Sequence, residues 1–191
     1  LADSIVQGLD ERSDPLTKAW FTNYVKNTQW IGCKVPTVRS TVKEVIKNCT
    51  LSASPNAATN KKPWTNEVLL DNGIHLLQHP ACDAKLGGMI LLSEFMAMDE
   101  LATHAVLDRF DRQVWAADEN NNNNNCVVND WSSADWFAVR VLSKIGLAGK
   151  NDLAERILQY TGLSNASLWQ RRCGVVSFLH YYKHRDQLPL D

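Results

Sequence analysis

Five cysteines stand far apart, at positions 33, 49, 82, 126 and 173, and no two of them form a C-x-x-C. An odd, scattered set argues against a disulfide framework or a zinc knuckle. It fits reduced thiols in an intracellular protein, in nucleus or cytoplasm. No apolar run approaches the length of a membrane span, and the start carries no signal-peptide apolar core. No β-branched stretch with period-two alternation stands out, which speaks against a sheet. There is no excess of charge: 20 Lys and Arg against 21 Asp and Glu give a net charge of -1. A strongly basic domain would announce a nucleic-acid binder, and this one does not. An initiating Met is also missing. Leu1 stands first, which fits either a fragment or an engineered start.

What is present is ordinary for a soluble globular protein, with 45% hydrophobic and 21% charged residues. At 191 residues one domain spanning 1–191 is expected, long enough for a continuous core. The charge is uneven along it. Residues 64–125 hold ten acids and three Lys or Arg, whereas residues 126–191 hold eight Lys or Arg and six acids. A basic face on the second half is therefore compatible with the composition.

Nearly every segment reads as helix. Asp14-Pro15 supplies an N-cap and a first-turn proline for a helix running to about Lys26, with Trp20 and Tyr24 one turn apart. A loop at 31–35 leads to Pro36, which opens a helix whose Val38, Val42, Val45 and Ile46 repeat at i, i+4, i+7, i+8. Residues 51–63 read as a linker. Helices are expected at about 64–79, 82–97, 99–117, 131–147, 152–160 and 166–184, the first two meeting at His79-Pro80. Gly87-Gly88 marks either a weak point or a close approach of another backbone. The asparagine tract within 118–128 reads as a surface insertion. Successive antiparallel helix pairs of about 40 residues imply an all-α, right-handed solenoid of HEAT-like repeats.

Two helices break their own pattern. The stripe 131, 135, 138, 139, 142 reads Trp, Asp, Ala, Val, Leu, with a carboxylate at its centre. The stripe 168, 172, 175, 176, 179 reads Leu, Arg, Val, Val, Leu, with a guanidinium in the same place. Opposite charges on two inward faces suggest one site shared by Asp135 and Arg172. The plainer alternative is a buried structural ion pair. Trp131 belongs to the same stripe as Asp135, while Trp136 and Trp169 read as core. The pairs His75/His79 and His180/His184 lack the Glu of H-E-x-x-H and a third ligand, so no metal is expected.

Several separated blocks resemble the AlkD-like DNA alkylation repair proteins. Tyr24-Val25-Lys26-Asn27, Trp30-Ile31-Gly32 and Val35-Pro36-Thr37-Val38-Arg39 look like that family's first helix, its hydrophobic-Gly turn and its "P-x-x-R" helix start. Trp131-Ser132-Ser133-Ala134-Asp135 is similar to its "W-D-x-V-D" motif. Ser167-Leu168-Trp169-Gln170-Arg171-Arg172 is close to its "N-x-W-x-x-R" block. Order and spacing agree over about residues 15–185. The resemblance implies a HEAT-like superhelix with a concave basic groove for duplex DNA, acting as a monomer. The implied activity is hydrolysis of the N-glycosidic bond of cationic N3- and N7-alkylated purines, with no cofactor and no membrane. It makes Trp131 the aromatic at the sugar, Asp135 the essential carboxylate, Arg172 the arginine near the scissile nucleotide and Tyr24 an aromatic at the groove. Lys34, Arg39, Arg140 and Lys144 become candidate phosphate contacts, with Lys43 and Lys47 alongside. The sequence departs from the family at Ser132, where Asp is frequent. A second groove Trp would fall beyond Asp191. The rival reading is a non-catalytic HEAT-like scaffold that grips DNA or a protein.

Overall fold

The computed structural model of the protein describes residues 1–26, 28–52, 64–115, 127–148, 151–164 and 166–183. These residues are helical almost throughout. A single parallel bridge, Gln29 with Ala81, is the nearest thing to a strand among them. The asparagines 120–125 and the expected linker from residue 53 onward lie outside the described residues. Val128, at the end of the expected insertion 118–128, is fully buried. The helices group into two compact units, Leu1–Phe95 and Met96–Asp191.

The first unit contains α1 (Ala2–Asp10), α2 (Pro15–Tyr24), α3 (Val35–Ser52), α4 (Asn66–Leu77) and α5 (Cys82–Ile90), which runs on into a π-helical turn, Leu91–Phe95. Asp14 caps α2 as expected, accepting from the Leu16 and Thr17 amides. The helix ends at Tyr24 rather than Lys26, because Val25 turns extended and is buried. A β-branched residue fills the core better there than it continues a helix. Thr65 caps α4 through Val68. Helices α4 and α5 pack so closely that a Cβ on Gly88 would come within 2.6 Å of the Gly73 carbonyl oxygen. Close backbone approach is thus the reason for Gly88. Helix α1, which the sequence pattern did not separate out, buries Ile5 and Leu9 completely and packs on α3 and α5.

A buried carboxylate ties this unit together. Asp83, in the first turn of α5 and 1% exposed, accepts from the amides of Ile31 (2.6 Å), Gly32 (3.2 Å) and Cys33 (3.3 Å). Gly32 has φ +114, a left-handed conformation that a side chain resists, and a Cβ there would meet the Asp14 carbonyl oxygen at 2.7 Å. Burial pushes the Asp83 carboxyl up, with the three amide bonds acting in the opposite direction. Desolvation and proximity to Asp83 push the Cys33 thiol up to about 11.

The second unit holds α6 (Met98–Leu101), α7 (His104–Phe110) with the π-turn Asp111–Trp115, α8 (Trp131–Phe137) with the π-turn Ala138–Leu142, α9 (Ser143–Ala148), α10 (Asn151–Gln159) and α11 (Leu168–Lys183). The single helix expected over 99–117 is broken at Ala102. Its ψ of 64 leaves the helical region, and the Thr103 hydroxyl restarts the chain by capping Val106. Phe110 and Phe137 meet edge to face at 5.2 Å, with Trp115 edge-on to Phe137 at 5.7 Å. Both phenylalanines are fully buried, each contributing about 1.5–3 kcal/mol from area alone. Helix α11 packs on α8, its π-turn, α9 and α10. It does so through Gln170, Cys173, Gly174 and Ser177. A Cβ on Gly174 would lie 2.9 Å from the Thr161 methyl. The expected apolar stripe of α11 therefore does not face inward. Leu168, Val175 and Leu179 are 71%, 49% and 55% exposed. Cys173, Gly174 and Ser177 are small, and they let the helix axes approach.

Candidate functional site

Asp130 opens α8 by accepting from the Ser132 and Ser133 amides, each at 2.9 Å, and from the Ser133 hydroxyl. This cap fixes the first turn. Trp131, which follows, is 40% exposed, while Ser132 and Ser133 are buried. Ser132, where the resembled motif often has Asp, occupies an interior place. One turn on, Asp135 lies at the edge of the packed face, and there α11 reaches it. The Arg172 Nε donates to Asp135 Oδ1 at 2.7 Å and its Nη2 to Oδ2 at 2.8 Å, a bidentate pair. The two side chains remain 42% and 32% exposed. The pair therefore forms as the sequence suggests, but neither charge is buried, because the face of α11 that carries Arg172 looks outward. The bond to Asp135 holds the Arg172 guanidinium above its ordinary value.

Two further bonds set the register of α11 against α8. The Cys173 thiol donates to the Ala134 carbonyl oxygen (3.2 Å) and the Ser177 hydroxyl to that of Ala138 (3.5 Å). The neighbouring Arg171 turns the other way, its Nε donating to the Ala166 carbonyl (3.2 Å). Of the two adjacent arginines only Arg172 belongs to the carboxylate. The π-turn at Ala138–Leu142 directly follows this site, and the Ser143 hydroxyl donates to the Val139 carbonyl within it. Such turns recur at functional positions. Arg140, within the turn, and Lys144, one turn on, are half-buried. Trp136 and Trp169 are half-buried as well, rather than core.

The same unit contains a polar network that the sequence did not single out. Arg156 on α10 donates to Asp108 and Asp111, both at 2.6 Å, and to the His104 carbonyl at 3.2 Å. The Tyr160 hydroxyl donates to Asp111 (2.9 Å), and its pKa is pushed up by burial and by that carboxylate. His104 meets Asp152 at 2.8 Å, which holds the Asp152 carboxyl below its ordinary value. The residue types carry no spacing signature, since the partners are 45–52 positions apart.

In the first unit, Tyr24 is 61% exposed and its ring stacks on Trp20 at 5.1 Å and 12°. Lys34 is exposed, as are Lys43 and Lys47. Arg39 is not solely a solvent-facing cation: its Nε and Nη2 each reach Glu94 at 3.0 Å. His79 Nδ1 accepts from the Ala81 amide, and His75 lies 3.9 Å from Asp3. Among the described residues no three His, Cys, Asp or Glu gather where they could hold a metal ion, and no helix is long and apolar enough to cross a membrane.

No curated protein and no solved structure matches the chain significantly. The family model for DNA alkylation repair enzymes does match, over residues 5–190. That span runs from within α1 through α11, with Trp131, Asp135 and Arg172 inside it. On this match over nearly its whole length, the chain belongs to the DNA alkylation repair enzyme family.

Proposed function

We propose that the protein binds duplex DNA along stacked HEAT-like helix pairs and hydrolyses the N-glycosidic bond of cationic N3- or N7-alkylated purines, with Asp135 as the catalytic carboxylate. The observation that carries this reading is the bidentate Arg172–Asp135 pair, part-exposed, one turn from a part-exposed Trp131. An alkylated purine already bears a positive charge, so its departure needs little protonation. As the C1′–N bond breaks, the bonding electrons neutralise the leaving base and the sugar becomes an oxocarbenium-like cation. Water then forms the new C1′–O bond and gives up a proton. A fixed carboxylate beside the sugar stabilises the cation and orients the water. The Trp131 face adds cation–π attraction. Two bonds from Arg172 take one lone pair from each Asp135 oxygen, and an ionised carboxylate has further acceptor capacity. The Arg172 Nη1 takes no part in the pair and suits a phosphate oxygen.

The non-catalytic scaffold draws support from the same pair, since both carboxylate oxygens already have a cationic partner. Base release from DNA carrying N7- or N3-methylpurines separates the two readings. Release above the uncatalysed rate supports the enzyme. Salt-dependent duplex binding without release supports the scaffold.

A further inference from the structure

We infer that the pocket beside Trp20 receives an unpaired nucleobase, with Lys34 taking the adjoining phosphate. The inference rests on DNA being the partner, but not on glycosidic chemistry at Asp135. The pocket is lined by Asp14, Leu16, Thr17, Trp20, Phe21 and Lys34, and holds about 590 Å³. That is within the usual range for a small organic ligand. Its lining offers apolar surface to solvent: Trp20 is 59% exposed and Leu16 82%.

The platform is a chain of ring contacts. Tyr24 stacks on the indole of Trp20 at an interplanar angle of 12°. Phe21, edge-on to Trp20 at 5.2 Å, stacks in turn on Trp30, which is buried in the core. A pre-ordered aromatic surface loses little conformational freedom when a flat ligand settles on it. The charge also suits a nucleotide. The one acid of the lining, Asp14, is committed to the Leu16 and Thr17 amides and the Thr17 hydroxyl. Those bonds, with a contribution from Lys34, hold its carboxyl below its ordinary value. Lys34 is the cation of the lining, and it is exposed.

Bases inside a duplex present only their edges in the grooves, their faces being covered by neighbouring pairs. A ring-face platform selects unpaired bases, and stacking on it is tolerant of base identity. The occupant is thus a single-stranded or frayed nucleotide rather than the duplex body.

The test uses the full chain with the tetranucleotide of thymidylate and, separately, a blunt 12-base-pair duplex, both unmodified. The tetranucleotide is expected to quench tryptophan emission. Trp20→Ala should weaken that binding by about 5- to 100-fold, and Trp20→Phe should restore most of it. Lys34→Ala should lower the slope of log affinity against log salt by about 0.7. Blunt-duplex affinity should stay within about twofold in Trp20→Ala. Circular dichroism checks the fold, which an exposed Trp20 does not hold together. A Trp20→Ala protein that binds the tetranucleotide as the parent does overturns the proposal and leaves the pocket to a protein side chain. Absence of quenching in the parent also overturns it. Because neither probe carries an alkylated base, both outcomes leave the Asp135 reading untouched.

Discussion

Replacing Asp135 by Asn removes the charge that would face the sugar cation while keeping the side chain's size. The geometry sets what this costs the fold. The pair is bidentate at 2.7 and 2.8 Å, but its members are 42% and 32% exposed, so solvent screens it. Screened surface pairs contribute up to about 1 kcal/mol even when the geometry is good. At this chain length, that corresponds to a melting shift of no more than about 2–4 °C. Removal of a fixed transition-state stabiliser, in contrast, lowers turnover by about 10²–10³-fold. The two roles are therefore separable in one variant. Single-turnover release of methylated purine from alkylated duplex DNA, measured beside a thermal melt, reads both. The expected result is a near-parental melt, duplex affinity changed little, and release reduced by at least two orders of magnitude. Parental turnover in well-folded Asp135→Asn would refute the catalytic assignment. A melt lowered by 10 °C or more would instead show that the pair holds α8 to α11.

Other outcomes follow from the packing and the buried groups. Gly88→Ala should destabilise the protein by about 1–3 kcal/mol in urea unfolding, because the added methyl meets the Gly73 carbonyl oxygen rather than a movable side chain. Asp83 has a folded pKa raised above its unfolded value, so its contribution is full below the ordinary carboxylate pKa and is lost as pH rises through the raised value. The stability difference between the parent and Asp83→Asn should accordingly be larger at pH 4 than at pH 7, and an equal difference would contradict the raised pKa. With its thiol pushed up to about 11, Cys33 should resist alkylation by iodoacetamide at pH 8, while half-buried Cys49 reacts before it, as read by peptide mass spectrometry.

The local chemistry of the chain was legible wherever neighbours in sequence decide it. Asp14-Pro15 announces a helix start, and the cap forms. Gly87-Gly88 announced a close approach or a weak point, and Gly88 meets the α4 backbone. The pairing of Asp135 with Arg172 was found from two interrupted stripes, although the second stripe is exposed. The two charges meet at a part-exposed edge rather than in the interior. On α8 the period itself shifts: the π-turn at Ala138–Leu142 inserts extra backbone, so Val139 is exposed while Ala138, Val141 and Leu142 are buried. No 3.6-residue window can follow such a change. Asp83 was invisible for a different reason. Its partners are backbone amides 50–52 positions away, and backbone amides leave no residue-type signature.

The Asp83 clamp also says something about the order of events when the first unit assembles. Its three bonds span about fifty residues, so they can close only after the chain between them, including α3 and α4, has been gathered. Transient unwinding of a helix end does not release them, because the acceptor sits in the interior and the loop is held at Gly32. The amide protons of Ile31, Gly32 and Cys33 should therefore exchange with solvent deuterium only when the whole unit opens. A loop, ordinarily the first part of a protein to exchange, would here be among the last.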